Sequence, residues 1–184
     1  NISYYTGGET SKKQILGMCY FYRAWSYAEL CRRWGGMPYL YAPLSADVEM
    51  DLPRLTMQET YKRAALDCDS AAMYLENVIP PTEFPHPTRV AALALKSRIL
   101  LYSASDFARY ETDSGENLWE SAALAANECI RIAEASGYGL VEWENFNNVI
   151  KDIKEEYYLK EVLLGRRQNH NWGSDAYTQN SGRP

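Results

Sequence analysis

The stretch Gln14–Leu40, QILGMCYFYRAWSYAELCRRWGGMPYL, decides the fold class. It runs as far as Trp34 without a proline, and its apolar residues recur at helical spacing on two neighbouring stripes. Ile15, Met18, Cys19, Tyr22 and Trp25 form one stripe; Leu16, Tyr20, Ala24, Tyr27, Cys31 and Trp34 form the other. Together they take up more than half of the circumference, so the helix asks for neighbours on both sides. Ser11 offers a polar entry and an N-cap. Arg32 and Arg33 suit the negative end of the helix dipole, and Gly35, Gly36 and Pro38 stop the helix. A rod of about 24 residues at ~1.5 Å each is long for a globular protein. The expectation is a helix set inside a helical stack.

Upstream, residues 1–10 are turn-rich and read as a loop. Downstream, residues 39–54 are a connector marked by Pro43 and Pro53. Its acidic residues Asp47, Glu49 and Asp51 place oxygens at alternate positions but lack the twelve-residue calcium loop with its bidentate glutamate, so they read as a solvated loop. Thr56 and Glu59 make a capping box, and Met57, Tyr61, Ala64, Ala65, Cys68, Ala71, Ala72 and Leu75 follow as one amphipathic stripe. The prolines between Ile79 and Pro87 forbid helix there. Thr88 caps a third, strongly apolar helix over residues 90–105, whose charges are Lys96 and Arg98. Arg98 reads as a side chain running along an apolar flank to solvent or a carboxylate. A fourth helix spans residues 118–136, with Trp119, Ala122, Ala123, Ala126, Cys129, Ile130 and Ala133 inward and Gly137 and Gly139 at its end. Trp143, Phe146, Val149, Ile150 and Ile153 keep helical spacing in a short charged segment. Residues 161–165 (EVLLG) suggest a short strand, and residues 166–184 read as loop.

Composition narrows the function classes. The 184 residues suffice for one domain with a real core. A net charge of −5 and a pI near 5.2 offer no basic surface for nucleic acid. Aromatic residues make up 13%, with 15 tyrosines and 5 tryptophans, which serve packing or stacking on flat ligand faces. The four cysteines, Cys19, Cys31, Cys68 and Cys129, lie in apolar helical patterns without CxxC spacing and read as buried thiols; no metal site and no cofactor is expected. There is no lipid-grade apolar run and no signal peptide, so the chain is expected to begin within a mature or excised segment.

The four helices pair as two consecutive hairpins, 11–34 with 56–77 and 88–108 with 118–136. Ala92, Leu95, Ile99 and Tyr102, then Trp119 and Ala123, carry a texture like that of tetratricopeptide repeats. The expected fold is all-α, tetratricopeptide-like stacked helical hairpins over residues 1–140, followed by an irregular or strand-containing tail over 141–184. Tyr22, Trp25, Trp34, Leu95, Tyr102 and Trp119 are expected in the core. Two stacked hairpins leave an end face uncovered, which implies more chain or a partner against it.

Three motifs in order then carry a resemblance. Residues 21–40 (FYRAWSYAELCRRWGGMPYL) resemble the signature helix of the SusD/RagB family. Residues 51–56 (DLPRLT), with Glu59, Tyr61 and Asp67, are similar to its second segment, and residues 88–102 (TRVAALALKSRILLY) to its alanine-rich helix. Met18 and Tyr20 stand where the family usually has glutamate and arginine, and His86-Pro87 replaces a usual glycine. The resemblance implies an outer-membrane, cell-surface lipoprotein on a helical scaffold, without catalysis. It would work with a SusC-type TonB-dependent porin and bind an oligosaccharide or other small nutrient. It also implies a longer protein, with the lipid anchor outside this chain and the ligand-binding half beginning near residue 141.

The tail Arg167, Asn169, His170, Asn171, Trp172, Asp175 and Tyr177 combines flat rings with hydroxyl-satisfying groups, the inventory of a sugar site; an ordinary polar loop is the plainer reading. Two other classes fit less well. A glycan-processing enzyme needs two carboxylates about 5–10 Å apart in a cleft, whereas Glu142/Glu144 and Glu155/Glu156 are neighbours on the surface pattern. A Ser–His–Asp arrangement lacks support, because His86 and His170 lie in loops with no nucleophile motif beside them. A tetratricopeptide-like adaptor without glycan binding explains the helices but not the GGMP and PRLT segments.

Overall fold

The computed structural model describes residues 6–45, 51–80, 85–110, 116–150 and 159–165. It is all-α: α1 Glu9–Trp34, α2 Met57–Tyr74, α3 Arg89–Ser103, α4 Asp106–Arg109, α5 Leu118–Ala135 and α6 Phe146–Ile150, the last entered through a 3-10 turn at Trp143–Asn145. Helix α1 lies against α2, α2 against α3, and α3 against α5, so the long helices form a one-dimensional stack of antiparallel neighbours. No described residue is in a strand, and no helix among the described residues is long and apolar enough to cross a membrane.

Caps set the helix ends. The capping box of α2 is complete: Glu59 N donates to Thr56 Oγ1 at 3.2 Å and Thr56 N to Glu59 Oε2 at 3.1 Å. Thr88 Oγ1 accepts from Ala91 N at 3.2 Å, and Asn117 Oδ1 from Glu120 N at 3.3 Å. Ser105 ends one helix and starts another. Its hydroxyl donates to Tyr102 O at 2.7 Å and accepts from Ala108 N at 3.4 Å, so α3 stops at Ser103 and the separate turn α4 begins. At α1, the expected cap at Ser11 is corrected. The helix starts three residues earlier, with Gly8 in the cap position and no side-chain cap.

The main core lies between α1, α2 and α3, around Phe21, Ala24, Tyr61, Ala64, Cys68 and Ile99. The alanines and cysteines let α2 sit close to both neighbours. A second cluster joins Val90 and Leu93 of α3 to Cys129 and Ile132 of α5, with Tyr138 and Leu163 partly covering it.

Several expected core residues lie elsewhere. Leu95 is buried at 8% exposure, but Tyr22 is 50% exposed, Trp25 37%, Tyr102 36%, Trp119 52% and Trp34 74%. The cause at α1 is its place at the end of the stack: one stripe, containing Gly17, Phe21, Ala24 and Cys31, packs on α2, while the adjacent stripe is covered only in part, where Trp25 borders Leu95, Ile99 and Tyr102 of α3. Tyr102 stacks on Tyr61, centroids 6.5 Å apart, and Arg98 Cζ lies 5.9 Å from its ring centroid, so it edges the core without being enclosed by it. In α5 the buried positions are Ala122, Ala125, Cys129 and Ile132, a phase rotated from the expected one, which turns Trp119, Ala123 and Ile130 outward. Residues 161–165 are not a strand: 159–161 form a helical turn, and one backbone bond, Gly139 N to Lys160 O at 3.0 Å, replaces a ladder.

Candidate ligand-binding surface

The end of α1 and the start of α2 are fastened to each other by the two glycine- and proline-marked motifs. Gly35 has φ +81°, a region that favours glycine, and turns the chain off α1. Gly36 then passes so close to the next segment that a Cβ there would lie 2.0 Å from Leu55 O. Arg54 Nε donates to Gly36 O at 2.7 Å, and Met37 N donates to Thr60 Oγ1 at 3.2 Å. The GGMP and PRLT residues therefore form one joint.

Deeper in the same hairpin, Asp67 of α2 gathers three donors. Arg23 of α1 reaches it through Nε at 2.5 Å and Nη2 at 2.7 Å, and Tyr39 OH donates at 2.7 Å. The guanidinium also sits near the rings of Tyr20, Tyr39 and Tyr41, its Cζ 5.0 Å from the Tyr41 centroid. Tyr27 stacks on Tyr39 at 3.9 Å and accepts from Leu40 N at 2.7 Å, which pins the connector. The hydrogen bond to Asp67 raises the Arg23 pKa above its usual value, and burial, then the same carboxylate, pushes the Tyr39 phenol up. This is a structural network, and sequence patterning missed it. Arg23 and Asp67 are 44 residues apart, and only their joint presence in two motifs hinted at a pair.

Catalytic chemistry finds little support. Glu142 and Glu144 are exposed, as is His86, and no group of His, Cys, Asp and Glu among the described residues is arranged to hold a metal. Burial raises the Cys68 and Cys129 thiols, and Cys31 is buried as well, whereas Cys19 is exposed, which corrects the expectation of four buried thiols. Arg98 does what its flank position suggests: it is half-exposed, with Nη2 4.0 Å from Glu29 Oε1. Glu29 already takes Arg32 at 2.7 Å, and that hydrogen bond holds its carboxyl below the usual range.

The open stripe of α1 makes a groove. Tyr22 and Trp25 line it with Pro85, Leu164 and Gly165, enclosing about 400 Å³. Phe21 supports both rings from below, edge-on to Tyr22 at 5.4 Å and tilted to Trp25 at 5.9 Å. The groove offers flat, mainly apolar faces, with the Tyr22 hydroxyl and the Trp25 indole N–H as the side-chain hydrogen-bonding groups of its described lining, so it suits the apolar side of a ligand more than its polar side. Beyond Gly165 the sequence runs into Arg167, Asn169, His170, Trp172 and Tyr177, which lie outside the described residues. Of the aromatic residues expected to be core, Tyr22 and Trp25 meet at this groove; Tyr102 and Trp119 are not among its lining.

A family model, SusD-like and described as starch-binding associating with outer membrane, matches residues 2–101. Among solved structures, a SusD-like protein from Bacteroides fragilis is 25% identical with a TM-score of 0.71 over 90% of this chain and 29% of its own. A surface glycan-binding protein A from Bacteroides fluxus is 22% identical with a TM-score of 0.63, over 92% of this chain and 33% of its own. The chain thus spans about a third of the length of these structures, and the second likeness is one of fold alone. No curated protein matches the chain.

Proposed function

This chain belongs to the SusD-like family, and from that premise we propose that it forms the helical base of a cell-surface glycan-binding subunit working with a SusC-type TonB-dependent porin. The observation that carries the reading is the family match across α1, α2 and most of α3, together with the motif residues that build their joint. In this reading, residues 1–140 are scaffold and residues 141–184 open the ligand-binding part of a longer protein. A lipid anchor outside this chain would hold it at the outer membrane. We read the work as capture, not turnover, because the family model is described as starch-binding.

The ligand site we propose lies where the chain leaves the Tyr22–Trp25 groove. Trp172 and Tyr177 supply further flat faces, and Arg167, Asn169 and His170 supply donors and acceptors for sugar hydroxyls. Affinity electrophoresis in gels carrying starch and other polysaccharides tests it: retardation is expected with at least one glycan, and Trp172→Ala is expected to abolish it. Unchanged migration in every glycan overturns direct binding. Release of reducing sugar by the purified protein overturns the reading as capture alone. Co-purification of an outer-membrane porin from membranes checks the partner.

A further inference from the structure

Trp25 borders two surfaces. It lines the apolar groove with Tyr22, and it also lines a narrow cleft between α1 and α3, together with Glu29, Arg32, Leu95, Arg98 and Tyr102. The cleft holds about 10 Å³, room for about one water, so a ligand that leaves the groove over Trp25 lies across its mouth instead of entering it.

That mouth is positively charged. Glu29 faces three exposed guanidiniums, Arg32 at 2.7 Å, Arg33 at 3.6 Å and Arg98 at 4.0 Å. Three cations against one anion leave this cluster a surplus of two positive charges, on a chain whose formal net charge is −5. Local structure accounts for two of the arginines. Arg32 and Arg33 stand in the last turn of α1, where cations suit the helix dipole, and both reach Glu29 across one helical turn. Arg98 is different. It stands within α3, its Nη2 is beyond hydrogen-bonding distance of Glu29, and that carboxylate already has Arg32. Its Cζ is 5.9 Å from the Tyr102 ring centroid, which holds the guanidinium beside an aromatic face at the surface. A guanidinium carries five donors in a planar fork that fits a carboxylate through two parallel bonds.

We propose that the glycan taken by the Tyr22–Trp25 groove is acidic: a uronic-acid oligosaccharide with a sugar ring on Trp25 and its carboxylate on Arg98, beside Arg32. The assignment rests on the glycan reading of that groove and adds the charge of the sugar. A uronate carries its carboxylate directly on the pyranose ring, so flat face and negative charge come together, as indole and guanidinium do here. A neutral sugar leaves the surplus charge unmatched, and an acidic peptide matches the charge without a pyranose face to lay on the indole.

Calorimetric titration tests it with trimers of galacturonate, mannuronate and guluronate, each beside its carboxyl-reduced form, in which a neutral hydroxymethyl group replaces the carboxylate. At least one uronate is expected to bind about tenfold or more tighter than its reduced form, as a charge-assisted pair supplies, and the gap is expected to narrow as salt is raised. Arg98→Met keeps the apolar stem on the flank of α3 and removes the fork, so it is expected to keep the thermal midpoint and bring the two forms to within about threefold of each other. Arg98→Lys, a point charge, is expected to restore part of the gap. The proposal is overturned if every uronate binds no better than its reduced form, if Arg98→Met leaves the gap at its parental size, or if acetyl-Glu-Glu-Glu-amide binds as tightly as the best uronate. Maltotriose bound more tightly than every uronate overturns the acidic assignment and leaves the groove a glycan site, whereas no binding by any of these sugars overturns both readings.

Discussion

Asp67 is held by residues from two other segments, Arg23 on α1 and Tyr39 in the connector, so one carboxylate ties together three parts of the chain. Tyr39→Phe removes one charge-assisted bond and leaves the ring, and it is expected to cost about 1.5–3 kcal/mol in urea denaturation near pH 7. The alkaline limb carries a second signature. Burial and the bond to Asp67 raise the folded-state phenol above its ordinary value of 10.0, and burial raises Tyr61 in the same direction. The stability these groups contribute is complete below pH 10 and declines above it, because the unfolded phenols ionise first while the folded ones stay protonated. Tyr39→Phe should therefore show a shallower decline above pH 10 than the parent; equal slopes would mean the phenol is not held as described. A contrast on α1 separates core from surface. Phe21 is fully buried, so Phe21→Ala is expected to cost about 3–5 kcal/mol, and Trp25→Ala roughly half of that, because its ring is partly open. Equal losses in thermal melts would show that Trp25 is covered after all.

Among the elements, the joint between α1 and α2 is the most constrained. A methyl group at Gly36 would press on the backbone of Leu55 and Thr56, which cannot move aside like a side chain. Gly36→Ala is expected to cost about 3 kcal/mol or more, whereas Gly8→Ala, with nothing near its Cβ, should leave the thermal midpoint within a degree or two. Helix positions were legible here because the punctuation is chemical: Thr56 with Glu59, Thr88, and the glycine pairs after Trp34 and Ser136 mark ends by bonds they make or conformations they adopt. Facing was less legible. In α5 the alanines at 122, 123, 125 and 126 make two stripes equally apolar, and only contact with Val90 and Leu93 selects the one through Ala125 and Ile132. In α1 both stripes are rich in aromatic residues, so pattern alone asked for two covers where this structure supplies one. The Arg23–Asp67–Tyr39 network was illegible because no periodicity links residues in three different elements. The ligand residues of the tail rest on composition, and composition carries no geometry.

At the scale of the whole molecule, each long helix touches its neighbours in order, and stability in such a stack depends on how many sides of a helix are covered. Helix α2 lies between α1 and α3, and α3 between α2 and α5, whereas α5 packs mainly on α3 and α1 mainly on α2, with a smaller contact to α3. Burial agrees in part: α2 buries Tyr61, Ala64, Cys68 and Ala71 almost completely but leaves Leu66 and Met73 open, while Tyr22, Leu30 and Trp34 stand open on α1 and Leu124 and Ile130 on α5. Local opening of an end helix breaks one interface, but opening of an inner helix breaks two. Amide hydrogen exchange should therefore rank the helices, with the centres of α2 and α3 the slowest and those of α1 and α5 faster by at least tenfold, about 1.4 kcal/mol of opening free energy. The capping box and the Asp67 network slow α2 further at its start and middle. Should the centre of α5 exchange as slowly as that of α2, the stack is not one-dimensional, and some other surface of the protein must cover the open face of α5.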